Sequence, residues 1–208
     1  MDITLPVYYD SSDVVAVFET VIETAGDVRT ALAERRSYQE AENPSGDRQL
    51  AADVYADQLL EERLLGIDGV GSYASEERED TVVAETGGDL HVACDPLDGS
   101  SNLTSNNGMG TIVGVYEEPL PAGGDVLLAA GYVLYGPITT MVVARDGTAT
   151  EYLLDGGREV LTDPVTLPEE PTVYGFGGRV PDWPPAFSSY VEAIEADRLK
   201  LRYGGAMV

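Results

Sequence analysis

The sequence predicts an α+β protein built in layers. Three observations predict it: amphipathic helical spacing fills the first third of the chain, short β-rich runs between glycine-rich turns follow, and mixed elements close it. At 208 residues and 43% hydrophobic content, the chain can bury a sizeable core as one domain or slightly more.

The first helix is capped by Ser12 or Asp13 and carries Val14, Val17, Phe18, Val21, Ile22, Ala25, Val28 and Leu32 at helical spacing. It should end near Arg35-Arg36, where cations suit the negative end of the helix dipole. Asn43-Pro44-Ser45-Gly46 then signals a turn in a polar loop. A second helix is expected over about 48–65, with Leu50, Val54, Leu59 and Leu60 among its apolar positions. Residues 90–94, 110–116, 126–135 and 139–144 read as strands, and Asp146-Gly147 should close a hairpin from the last of these to 148–154. The acid-, Gly- and Pro-rich segment 153–171 reads as a loop or domain junction. Beyond it, 173–174 starts a strand, 187–196 has helical spacing and 199–203 reads as a strand.

Thirty-seven acidic residues face twelve basic ones, a formal net charge of -25, and only Lys200 among the basic residues is a lysine. The acids are spread along the chain among twelve tyrosines and regular apolar stretches, which marks a folded chain and not an acidic tail. Charge of this size opposes the compact state in dilute buffer, whereas molar salt shortens the screening length to about 3 Å and removes most of the repulsion. The balance therefore reads as adaptation to high salt. The alternative is an acidic domain, without catalysis, that binds cations or a protein partner. Nucleic acid and anionic membrane are excluded as partners, since both require basic patches. The single Cys94 lies in an apolar run and reads as a buried, inert thiol; His91, alone in the same run, reads as a core or edge residue. Neither a signal peptide nor a long uncharged apolar stretch is visible, so the reading is a soluble, cytoplasmic protein.

Three acid clusters carry the candidate chemistry. Asp95-Pro96-Leu97-Asp98-Gly99-Ser100-Ser101 follows directly on an apolar run, the kind of place where sites form in open α/β sheets. Pro96 lacks a donor and Gly99 permits a turn, so this segment is expected to leave the sheet. Asp95 and Asp98 can then converge, with the Leu97 carbonyl as a further oxygen ligand. Hard oxygen donors suit magnesium or manganese, and one histidine and one cysteine are too few for zinc. The N–H groups and hydroxyls of Gly99, Ser100 and Ser101 form a cradle for phosphate oxygens. Ser75-Glu76-Glu77 is the second cluster, and Asp47 with Asp53 at the start of helix two is the third. Taken singly, acids of this kind are ordinary solvated surface residues.

The motif Asp95-Pro96-Leu97-Asp98-Gly99-Ser100-Ser101-Asn102 resembles the metal signature of the fructose-1,6-bisphosphatase family. Gly46-Asp47 with Asp53, Ser75-Glu76-Glu77, Gly110-Thr111-Ile112-Val113-Gly114-Val115-Tyr116, Leu134-Tyr135-Gly136 and Leu201-Arg202-Tyr203-Gly204-Gly205-Ala206-Met207-Val208 resemble further family segments, in family order. The resemblance implies a layered αβαβα fold with an incomplete second α/β domain: an N-terminal metal- and phosphate-binding domain over 1–160 and the start of a sugar-binding domain over 161–208. It implies Mg2+, with Mn2+ as the alternative, held by Glu76, Asp95, the Leu97 carbonyl and Asp98. Glu77 and Asp53 would polarise the attacking water, with Asp47 in support. Asp98, Gly99, Ser100 and Ser101 would hold the 1-phosphate of a sugar bisphosphate, Tyr203 would contact the 6-phosphate or sugar, and Arg202 would reach a phosphate across a dimer interface. The implied activity is hydrolysis of fructose 1,6-bisphosphate in gluconeogenesis by a homo-oligomer (dimer or tetramer). The enzymatic rival is a broader phosphatase acting on sedoheptulose bisphosphate or inositol monophosphate.

The sequence departs from the family at three places. It stops at Val208, where the family continues with another glutamate ligand, a lysine and more phosphate contacts; a fragment or degenerate copy is expected, with an exposed edge or apolar patch. The family's Asn and Tyr for the 6-phosphate are absent near Tyr174-Gly175-Phe176-Gly177-Gly178-Arg179, where Arg179 would substitute electrostatically. Asp89-Leu90 stands where nucleotide-inhibited members carry a lysine–tyrosine pair, which predicts little or no AMP inhibition of that type.

Overall fold

A computed structural model describes residues 12–44, 46, 48–85, 87–176, 180–196, 199–202 and 204. Asp47, Arg179, Tyr203 and residues 205–208, all named above, lie outside these. Helix α1 (Ser12–Leu32) buries Val14, Val17, Phe18, Val21, Ala25 and Val28 along one stripe. It ends a turn earlier than expected, and Arg29 in its last turn donates to the Gly136 carbonyl at 3.1 Å. Strands β1 (Tyr38–Glu42) and β2 (Arg48–Leu50) form an antiparallel pair, with Gly46 N–H bonding to the Asn43 carbonyl in the connecting turn. Helix α2 (Ala51–Leu65) follows directly; it starts later than expected because residues 48–50 pair with β1.

The large sheet is built from β3 (Val70–Ser75), β4 (Val82–Val83), β5 (Leu90–Asp98), β6 (Met109–Tyr116), β7 (Leu127–Tyr135), β8 (Thr139–Arg145), β9 (Thr148–Leu153) and β10 (Glu159–Thr162). Its order is β10-β9-β8-β7-β6-β5-β3-β4; β3 and β5 run parallel, and the other neighbours are antiparallel. Helices α1 and α2 lie together on one face. Contact there is close enough to require a glycine: a Cβ on Gly131 of β7 would stand 2.9 Å from the Phe18 ring and 2.8 Å from the Val142 carbonyl. Asp146-Gly147 closes the β8–β9 hairpin as expected. Cys94 is buried, and burial pushes its thiol up, away from reactivity. His91 shares a 2.8 Å hydrogen bond with Ser72 across the β3–β5 pair.

Four features correct the expectations. The pairs β1–β2 and β3–β4 and the edge strand β10 were not anticipated; β10 lies within the segment read as loop, and the 160/161 division falls inside it. The segment Asp95-Pro96-Leu97-Asp98 does not leave the sheet. It stays paired with β6 through a bulge, Asp95 opposite Ile112 and Asp98 opposite Gly110, so β5 carries one extra residue there. A bulge is where a strand tolerates a residue with no N–H donor, and the Pro96 carbonyl is satisfied by the Thr111 hydroxyl at 2.9 Å.

After β10 the chain forms β11 (Val173–Tyr174), helix α3 (Pro185–Ala196) and β12 (Lys200–Leu201); β11 and β12 pair in parallel. Phe176 packs edge-on against Trp183 and against Phe187 of α3. Among the described residues no helix is long and apolar enough to cross a membrane.

Candidate active site

The carboxyl ends of β3 and β5, the start of α2 and the β1–β2 hairpin enclose a cavity of about 650 Å³. It is lined by Asp53, Glu76, Glu77, Asp95, Leu97, Asp98, Gly99, Ser100 and Ser101, together with Tyr38, Asn43 and Gln49. All the predicted acids that lie among the described residues thus reach one place, although they come from three separate chain segments. No described Lys or Arg side chain lines it. Arg202 does not reach the cavity; its guanidinium donates to the Leu201 carbonyl at 2.6 Å. The C-terminal segment does come close, because the Asn102 amide donates to the Gly204 carbonyl.

Each acid is positioned by its local structure. Asp53 is the third residue of α2, and its Oδ2 accepts the Leu50 N–H at 2.6 Å, closing the helix start. Its Oδ1 is buried with no hydrogen-bond partner among the described residues. Burial raises the Asp53 carboxyl, against the Leu50 N–H and Ser100, which favour its ionised form. Glu76 leaves the end of β3, where its N–H bonds to the Cys94 carbonyl at 3.1 Å. Glu77 accepts from Gln49 Nε2 at 2.6 Å, and its own N–H bonds to Ser75 Oγ at 3.2 Å. Burial, with the charges of Asp53, Glu76 and Asp57 added, pushes Glu77 up to about 7 despite the Gln49 bond. Asp95 accepts the Leu97 N–H at 3.1 Å across the bulge. Burial first, then the neighbouring carboxylates of Glu76 and Asp98, push Asp95 up to about 8, and it shares a hydrogen bond with Glu76.

Opposite these acids, Gly99 adopts φ +71°, a left-handed conformation that side chains rarely take, and starts the short 3-10 helix Ser100–Thr104. Gly99 turns the chain sharply enough to set Ser100 and Ser101 on the cavity wall. Among the described residues no three acids, His or Cys stand in ready metal-coordinating geometry. They ring the cavity without meeting at one point. That arrangement fits magnesium, which keeps several waters and takes one or two carboxylates plus substrate phosphate, better than an all-protein cage. The orphaned Asp53 Oδ1 and the raised carboxyls fit the same cation, since crowded acids gain most from a positive charge.

Tyr38, Asn43 and Gln49 were missed by sequence reasoning. Gln49 could have been suspected from its place just before Asp53; Tyr38 and Asn43 carry no local signal, since only the hairpin brings them to the cavity.

Residues 14–163 match the family described as Fructose-1-6-bisphosphatase, N-terminal domain. The chain belongs to the fructose-1,6-bisphosphatase family. It is 66% identical to the class 1 fructose-1,6-bisphosphatase of Natronomonas pharaonis over 92% of this chain and 68% of that relative. It thus spans about two thirds of that relative's length. Among solved structures, the holo form of Leishmania major fructose-1,6-bisphosphatase superposes with a TM-score of 0.85 at 26% identity, over 96% of this chain and 70% of that one. A putative sedoheptulose-1,7 bisphosphatase from Toxoplasma gondii superposes with a TM-score of 0.77 at 25% identity, over 94% of this chain and 68% of that one. As a fructose-1,6-bisphosphatase family member, the chain is a phosphatase by class, with an α+β fold matching its structural relatives.

Proposed function

We propose that the protein hydrolyses the 1-phosphate of fructose 1,6-bisphosphate, giving fructose 6-phosphate, in the presence of Mg2+ or Mn2+. The observation that carries this is the single cavity in which five carboxylates face the turn at Gly99, Ser100 and Ser101. Glu76, Asp95, Asp98 and the Leu97 carbonyl would hold the cation. When bound, it would offset the phosphate charge and ease ionisation of water. Gly99, Ser100 and Ser101 would bind phosphate oxygens through N–H groups and hydroxyls. Glu77, pushed up to about 7, is suited to accept a proton from water near neutral pH, with Asp53 beside it. Asp47 would support the same step, Tyr203 would contact the sugar or far phosphate, and Arg202 would reach a phosphate from a second copy in a dimer or tetramer. The acid-rich surface supports work in a salt-rich cytoplasm, in gluconeogenesis.

Phosphate release from fructose 1,6-bisphosphate in molar KCl, with and without Mg2+, tests the proposal, with the product identified by phosphorus NMR. Absence of Mg2+-dependent release would overturn it. The Toxoplasma neighbour favours sedoheptulose bisphosphate as a second reading, and including that compound and inositol monophosphate in the panel separates the three.

A further inference from the structure

One buried carboxylate near the cavity takes no part in the scheme above. Asp57 is 4% exposed, lies a single helical turn beyond Asp53 on α2, and does not line the cavity. Its Oδ2 accepts from Arg78 Nε at 2.5 Å, and its Oδ1 accepts from the Tyr73 hydroxyl at 3.1 Å. Arg78 also pairs with Glu61, a further turn along the same helix. Asp53, Asp57 and Glu61 are spaced four residues apart, so one stripe of α2 supplies a cavity acid and then a two-carboxylate fork for Arg78.

Arg78 directly follows Glu76 and Glu77 in the chain. Its N–H bonds back to the Ser75 carbonyl at 3.3 Å, closing a turn around the two glutamates. We infer that Arg78 is a positioning residue: by clamping this turn to α2 through Asp57 and Glu61, it holds Glu76 and Glu77 toward Asp53 and Asp95. The inference rests on the proposed function for what the acids do, and on geometry for how they are held. The clamp is needed because Glu76, Glu77, Asp53 and Asp95 crowd one cavity and repel each other once they ionise to take up a cation. Around the two glutamates the turn is held by short bonds at its base, from the Glu76 N–H to β5 and from the Glu77 and Arg78 N–H groups to Ser75 at the end of β3, and by Gln49 of β2. A guanidinium fixed at two carboxylates resists that repulsion, and none of the three side chains lines the cavity.

The test is the affinity for Mn2+ alone, read by electron paramagnetic resonance of the free ion, at a temperature where circular dichroism shows each variant folded. Arg78→Lys keeps the charge and loses the fork; it should weaken Mn2+ binding roughly tenfold, the usual cost of disturbing a group that orients a ligand. Arg63→Ala breaks a different ion pair of α2, to Asp27 on α1, and should leave the affinity within about twofold. Arg78→Lys within about twofold of wild type, or Arg63→Ala as damaging as Arg78→Lys, overturns the inference. If Arg78→Lys does not fold, Glu61→Gln removes the less buried partner and should weaken Mn2+ binding about threefold; unchanged affinity there overturns the inference equally. Wild type that binds Mn2+ but releases no phosphate overturns the functional proposal alone, and wild type that binds no Mn2+ overturns both.

Discussion

Two groups of acids sit a helical turn apart and are built in opposite ways. Asp57 and Glu61 share Arg78, and the buried Asp57 carboxylate also accepts from Tyr73, so its charge is compensated within the fold. Asp53, Glu76, Glu77, Asp95 and Asp98 share a cavity that no described cation lines, the Asp53 Oδ1 has no hydrogen-bond partner among the described residues, and two of the carboxyls are raised to about 7 and about 8. The difference teaches that burial of acid alone does not mark a site. The mark is burial left uncompensated by the chain itself, which a bound cation can complete.

The largest effect that would sharpen this contrast is Asp95→Asn. Phosphate release should fall on the order of 10³-fold, as when a group stabilising reaction charge is removed. The metal-free protein should melt no lower, and up to about 4 °C higher, because a repelled carboxylate is gone. Asp57→Asn should behave in the opposite sense and lose about 3 kcal/mol of stability in denaturant unfolding, since Arg78 keeps its charge without its main partner. Equal destabilisation by the two variants would erase the distinction.

A smaller effect separates the groups by pH. Glu77 and Asp95 keep their protons in the folded chain where unfolded carboxyls have lost theirs, so folding takes up protons. The denaturant midpoint of the metal-free protein should therefore fall as pH rises from about 4 to about 8. Saturating Mg2+ should flatten that fall; a midpoint that instead rises through the window would contradict the assigned environments. Smallest is Arg63→Ala, whose pair with Asp27 is open to solvent; it should cost about 0.5 kcal/mol and less at molar salt, measured by the same unfolding curves.

Much of this was legible in the sequence where periodicity is local. The stripe of Val14, Val17, Phe18 and Val21 announces α1, and alternation announces the antiparallel run from β6 to β9. Where pairing depends on distant partners the signal fails. Tyr38-Gln39-Glu40-Ala41-Glu42 has a polar composition with no strand pattern, and it becomes a strand only because β2 lies opposite. Val70-Gly71-Ser72-Tyr73 is held by parallel pairing to β5, a long-range contact without a turn to advertise it. The site residues at Glu76, Glu77 and Asp95 to Ser101 were legible because their chemistry is concentrated in short motifs. Asp57 was not, since its importance comes from Arg78, which the sequence places twenty-one residues away.

The bulge in β5 does arithmetic for the site. In an unbroken strand, residues at an odd separation look to opposite sides, so Asp95 and Asp98 would be back to back. The supernumerary residue resets the parity: Pro96 and Leu97 are buried in succession, and both aspartates return to the half-buried side. Removing one residue between them would leave the aspartates two positions apart and still on one side of an unbroken strand, so the bulge is what lets an added residue, with its own carbonyl, stand between the two carboxylates without sending either through the sheet.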